Sequence, residues 1–239
     1  MARSESRLTV VLLPGLHGTS GLMTEFIRCR PEGVDTLALD YPTHQVMAYP
    51  ALIPWVCGQL STVPGPIVLL GESFSGPVAL AAATQLADRV RAVILVATFV
   101  VPPRTRLLRL LPWTLGFALT RPLFALQVRL ARTPASVSLL TAAARELQTV
   151  APRVLAHRIH AVLTVDASDL LRRATVPILY LQAAGDPVVP ARAFQTIRAI
   201  RPDAELKTIP TSHLLLQARP NEAWAAISDF LTRHAAIQR

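Results

Sequence analysis

The chain has 239 residues, 51% of them hydrophobic, 5% aromatic and 16% charged, with a formal net charge of +9. This length suits one large α/β domain whose core needs neither disulfides nor metal, and Cys29 and Cys57, with no CxxC spacing, read as two small buried thiols. The longest largely apolar run, Ala92 to Pro103, is too short to span a bilayer, and no cleavage site follows the N-terminal apolar run, so neither a membrane span nor a leader is expected and the chain reads as cytoplasmic.

Short apolar runs alternate with helical periodicity along most of the chain. Leu8 to Leu13 reads as a strand ending at Pro14-Gly15, and Leu22 to Arg30 as a helix. Val34 to Leu39 is a strand and Ala51 to Leu60 a weaker helix. Pro66 to Leu70 is a strand, and Pro77 to Ala87 a helix with proline in its first turn, where proline is tolerated. Arg91 to Val96 and Val176 to Gln182 are strands, Ala191 to Ile200 a helix, and Glu205 to Ile209 a short strand. Glu222 to His234 closes the pattern as a helix with Asn221 as its N-cap. Such alternation predicts an α/β fold, a mainly parallel sheet with helices on both faces. Between Pro102 and Arg173 the rhythm breaks. The pattern there is helical, interrupted by Pro112, Pro122, Pro134 and Pro152, and predicts about four helices inserted over the ends of the strands.

The stretch "LLGESFSGPVAL" runs a buried strand into a serine and then into a helix. A serine hydroxyl is a weak nucleophile that must be presented and deprotonated. A sharp strand-to-helix turn presents it at the carboxyl end of the sheet, where open α/β folds bind ligands, and needs small residues two before and two after the serine. Gly71 and Ser75 stand there, with serine in place of the usual final glycine and Gly76 one later. Ser73 is the candidate nucleophile. Its base should follow the last strand, which selects His213 in "IPTSHLLLQARP". The orienting acid should follow the strand before, which selects Asp186 in "LQAAGDPVVP", with Asp40 a weaker rival. The tetrahedral oxyanion needs two N–H donors. Phe74, the residue after the nucleophile, is one. The loop "LLPGLHGTSG" supplies the other, at Leu16 first and His17 second.

These segments, with "LALDYP", resemble the α/β-hydrolase superfamily in the family's own order from about Val10 to Arg219. The chain looks most like small bacterial carboxylesterases, including the pimeloyl-[acyl-carrier protein] methyl ester esterases. The resemblance implies a core of about six strands built from residues 1–101 and 174–239, a helical cap at 102–173, ester or thioester hydrolysis by a Ser-His-Asp mechanism, and no cofactor or metal. A hydrolase-fold protein that binds a ligand without turning it over is the alternative.

Residues 102–173 hold eleven arginines against three acids, a surplus of eight out of the chain's nine. The same segment carries apolar stretches suited to covering an acyl group. Trp113 and Phe117 are candidates for contact with that group. Arg121, Arg129 and Arg132 are candidates for an acidic partner such as an acyl-carrier protein, or for peripheral contact with an anionic membrane surface. Nucleic-acid binding would want basic residues interleaved with aromatics, and the aromatic content is too low for it.

Overall fold

The structure, a computed structural model, describes residues 8–103 and 134–234. Six parallel strands form one sheet in the order β2-β1-β3-β4-β5-β6. They are β1 (Thr9–Leu13), β2 (Asp35–Ala38), β3 (Ile67–Glu72), β4 (Val90–Val96), β5 (Ile178–Ala183) and β6 (Glu205–Ile209). The helices are α1 (Thr24–Arg28), α2 (Tyr49–Ser61), α3 (Gly76–Gln85), α4 (Pro134–Gln148), α5 (Pro152–Thr164), α6 (Ser168–Arg173), α7 (Arg192–Ile200), α8 (Leu215–Ala218) and α9 (Pro220–Arg233).

Strand side chains alternate between faces, and both faces here are buried, which explains the near-continuous apolar runs. Val11, Leu13, Ile67 and Leu69 pack on one face with Leu52, Val56 and Leu60 of α2, Val78 of α3 and Ile197 of α7. Val10, Leu12, Val68 and Leu70 pack on the other with Phe26 of α1 and Trp224, Ile227 and Phe230 of α9. The Trp224 and Phe26 rings stack at 4.5 Å, and the indole N–H donates to the Phe26 carbonyl at 2.7 Å.

Several elements differ from the sequence expectation for local reasons. β3 continues through Gly71 and Glu72, because its ladder to β4 extends over Gly71↔Leu95 and Glu72↔Val96. The segment predicted as one helix from Leu22 is a 3₁₀ turn, Gly21–Met23, leading into the short α1. Asn221 is not an N-cap, since α9 starts at Pro220, whose fixed φ suits a first helical turn. Cys29 and Cys57 are partly exposed rather than buried. Between β4 and β5 the described residues form α4, α5 and α6. Trp113, Phe117, Arg121, Arg129 and Arg132 lie outside the described residues. Among the described residues no helix is long and apolar enough to cross a membrane.

The topology locates the site. β1 connects outward to β2, and the chain then returns to place β3 on the other side of β1. Connections on either side of β1 and β3 diverge, leaving a crevice at their carboxyl ends. Leu13 pairs with Gly71 at the last rung, so the loops after β1 and β3 rise side by side.

Candidate active site

At the end of β3 the backbone turns abruptly at Ser73, whose φ is +49°. A non-glycine residue in this left-handed region costs on the order of 1–3 kcal/mol and persists only where its surroundings enforce it. They do so here. A Cβ on Gly71 would come within 2.6 Å of the Ser75 carbonyl oxygen, and one on Gly76 within 2.1 Å of Thr98 Oγ1. Thr98 Oγ1 donates to the Ser73 carbonyl. Thr98 follows a second left-handed residue, Ala97 at φ +44°, and its own carbonyl accepts from Tyr180 Oη at 2.7 Å. Tyr49 Oη donates to the Phe74 carbonyl at 2.8 Å. Ser75 is fully buried: its hydroxyl donates to the Pro14 carbonyl and sits 2.7 Å from Tyr41 Oη. With its proton committed to Pro14, it accepts from Tyr41. The positions that require glycine are therefore 71 and 76, and the serine at 75 is a tie between the elbow and the loop after β1.

His213, in the loop between β6 and α8, places Nε2 3.0 Å from Ser73 Oγ and Nδ1 2.7 Å from Asp186 Oδ2. Asp186 follows β5. Its other oxygen accepts the N–H groups of Val188 at 2.8 Å and Val189 at 2.9 Å, which fixes the carboxylate on a rigid turn. With Nδ1–H donating to Asp186, Nε2 is left to accept from the serine. Burial opposes charging the imidazole, but the hydrogen bond and charge of Asp186, aided by the Glu72 charge, hold its pKa above the ordinary histidine value. Asp40 is elsewhere: its Oδ1 accepts the N–H of Ser20. The structure thus brings Ser73, His213 and Asp186 together and leaves Asp40 out.

Leu16 and Phe74 lie in the adjacent loops after β1 and β3. The loop carrying Leu16 is tightly held. Gly18, at φ +75°, donates its N–H to the Gly15 carbonyl at 3.0 Å. His17 is buried and takes the Thr19 N–H on Nδ1 at 3.1 Å, which puts its proton on Nε2. Burial lowers its pKa against the opposing charges of Glu72 and Glu146, so the ring is neutral at neutral pH.

Three residues of this site were not anticipated. Glu72, the variable residue of the elbow, is buried, and its Oε1 accepts from Gln217 Nε2 at 2.9 Å while its Oε2 has no hydrogen-bond partner among the described residues. An acid ending the apolar run Ile67 to Gly71 was the available signal. Tyr41 ends the segment "LALDY" after β2, and nothing in the sequence signals that its phenol reaches Ser75. Arg158, on α5, is completely buried, and its Nη1 donates to the carbonyls of Leu16 at 3.0 Å and His17 at 2.8 Å. It shares the helix phase of the buried Val154, Leu155 and Ala161, and a charge on an apolar stripe was the sign.

No curated protein sequence matches the chain. Among solved structures it is similar to an enol-lactonase from Burkholderia xenovorans LB400, at 18% identity and a TM-score of 0.79, covering 97% of this chain and 94% of that one. A thermophilic esterase from Thermogutta terrifontis shares 20% identity with a TM-score of 0.76, over 95% of this chain and 90% of that one. A hydrolase from Pseudomonas aeruginosa PA01 shares 19% with a TM-score of 0.78, over 94% and 90%. These likenesses establish the fold. The sequence profile of the alpha/beta hydrolase family matches residues 10–227, nearly the whole chain, and the chain belongs to that family.

Proposed function

We propose that the protein is a serine hydrolase that cleaves a carboxylic ester or thioester through an acyl-enzyme. The observation that carries this reading is the continuous chain from Ser73 Oγ to His213 Nε2 at 3.0 Å and from His213 Nδ1 to Asp186 Oδ2 at 2.7 Å, on a serine held at φ +49°. As Ser73 Oγ attacks the carbonyl carbon, its proton passes to His213 Nε2, and Asp186 stabilises the imidazolium. The carbonyl oxygen becomes an oxyanion that accepts from the N–H groups of Leu16 and Phe74. Collapse of the tetrahedral species expels the alkoxide or thiolate, which takes the proton from His213. Water then attacks the acyl-enzyme, giving its proton to the same nitrogen, and the acid and free serine are released. A lactone is a cyclic ester and follows the same course, so the lactonase and esterase among the structural relatives are compatible with one chemistry.

The arginine surplus between β4 and β5 favours an acidic carrier attached to the acyl group. Of the described arginines there, Arg145, Arg153, Arg172 and Arg173 are exposed. Long-range attraction of this kind is screened as salt rises. The test uses p-nitrophenyl esters of graded chain length beside an acyl-carrier-protein ester, with Ser73→Ala as the control. The wild type is expected to hydrolyse the esters and Ser73→Ala to be inert. kcat/KM for the carrier ester is expected to fall with salt while that for the small esters holds. Residual turnover in Ser73→Ala above a few per cent would refute the nucleophile, and equal salt dependence would leave a small-ester carboxylesterase.

A further inference from the structure

We propose that Arg158 is a positioning residue for the oxyanion hole, so that α5 sets the aim of the Leu16 N–H in the loop beside the elbow. The inference rests on the reading of the loop after β1 as the donor loop.

Arg158 reaches from α5 into the loops after β1 and β2. Nη1 donates to the Leu16 and His17 carbonyls, and Nη2 donates to the Pro42 carbonyl at 3.0 Å. The guanidinium carbon lies 5.7 Å from the centre of the Tyr41 ring and 6.0 Å from that of Phe74. Its place is made by Gly18, where a Cβ would come within 2.3 Å of Nη1. Burial lowers its pKa to about 10, so it remains a cation at neutral pH. Its Nε has no hydrogen-bond partner among the described residues.

Three carbonyl oxygens therefore converge on one cation. Without it all three would lose this donor, a loss that costs most at the buried His17 carbonyl. The consequence for the donors follows from peptide planarity. The C=O and N–H of one trans peptide point in opposite directions, so holding the Leu16 carbonyl toward Arg158 directs the His17 N–H away from it. The peptide on the other side of Leu16 is pinned by the Gly18 N–H on the Gly15 carbonyl. Leu16 is thus clamped through both its peptides, one from within its own loop and one by Arg158. Glu146 on α4 adds a second grip, accepting from Thr19 Oγ1. A buried arginine that served only to fasten α5 would make the same hydrogen bonds. The two roles differ in what they do to the transition state.

The experiment compares Arg158→Met, Arg158→Lys and Arg158→Ala with the wild type, using p-nitrophenyl butyrate and its thiono analogue, in which sulfur replaces the carbonyl oxygen. Sulfur accepts hydrogen bonds poorly, so the ratio of the two kcat values reads the oxyanion contacts. Loss of one oxyanion donor typically lowers kcat by about 10²–10³-fold. Arg158→Met is expected to lose roughly 10²-fold in kcat with a small change in KM, and its oxygen-to-sulfur ratio is expected to shrink at least tenfold. Arg158→Lys keeps the charge without the fork and should lie between. Methylguanidinium added to Arg158→Ala should restore part of kcat. Should Arg158→Met keep the wild-type ratio, whatever its melting temperature, Arg158 is only a fastening and the inference is wrong. Should Arg158→Met fold too poorly to assay, the ratio in Arg158→Lys decides in the same way. A wild type that turns over neither ester would remove the hydrolase reading and this inference with it, whereas an active wild type with an unaltered ratio in the variants removes this inference alone.

Discussion

Ser75 occupies the place where the elbow pattern has glycine, and its replacement offers a sharp test of why. Its hydroxyl links the Pro14 carbonyl to Tyr41 Oη inside the core, where Tyr41 is only 2% exposed. Ser75→Ala removes the donor to Pro14 and the acceptor for Tyr41 together. Stranding a buried polar partner costs about 1–3 kcal/mol per group, so the change should cost roughly 2–4 kcal/mol. Tyr41→Phe removes the phenol but leaves Ser75 donating to Pro14, and should cost nearer 1 kcal/mol. In the double variant no stranded phenol remains, so the cost should fall short of the sum by about 1–2 kcal/mol. Urea unfolding followed by circular dichroism gives each value, provided the m-values agree. For a chain of this size each kcal/mol corresponds to about 2–4 °C in Tm. Costs that add to within about 0.5 kcal/mol, or a Ser75→Gly protein as stable as the wild type, would show that serine is tolerated there merely because it is small.

Other outcomes follow from the same geometry. Asp186→Asn should lower kcat by about 10⁴-fold, because His213 loses the partner that sets its tautomer and stabilises imidazolium; if Asp40→Asn were the damaging change, the acid is misassigned. kcat/KM should rise with pH through a pKa above 6.5, since His213 must be neutral to act and its neighbours favour the charged form. Glu72→Gln removes one of those negative charges, so the acid limb should move to lower pH; a limb that stays put or moves upward contradicts the placement of Glu72. Gly76→Ala brings a Cβ within 2.1 Å of Thr98 Oγ1 and should disturb the threonine that holds the Ser73 carbonyl. A loss of about 1–3 kcal/mol with a fall in kcat is expected, and wild-type activity in that variant would contradict the account of the elbow.

Much of the frame could be read from the sequence because parallel strands buried on both faces leave unbroken apolar runs between amphipathic helices. The order of strands, and hence the crevice beside β1, was not legible in the alternation: β3 takes its place on the other side of β1 through a pairing that local sequence does not announce. Element ends were less legible. β3 gained Gly71 and Glu72 from a ladder to β4, a partner that local sequence does not announce. The grouping of Ser73, Asp186 and His213 was accessible because each sits in a loop at the carboxyl end of its strand. The contacts around them were not, since they join positions far apart in the chain. Arg158 to Leu16 spans 142 residues and Gln217 to Glu72 spans 145. Ser75 was legible only in part: its smallness shows in the sequence, while its hydrogen bonds to Pro14 and Tyr41 depend on the loops after two other strands.

The central claim is that Ser73 is a nucleophile activated by His213. Incubation with a fluorophosphonate, followed by mass spectrometry of the intact chain and its peptides, tests it without knowledge of the natural substrate. One adduct per chain on Ser73, absent from Ser73→Ala and strongly slowed in His213→Ala, is the predicted result. A wild-type chain that remains unmodified, or is modified at another serine, would contradict it.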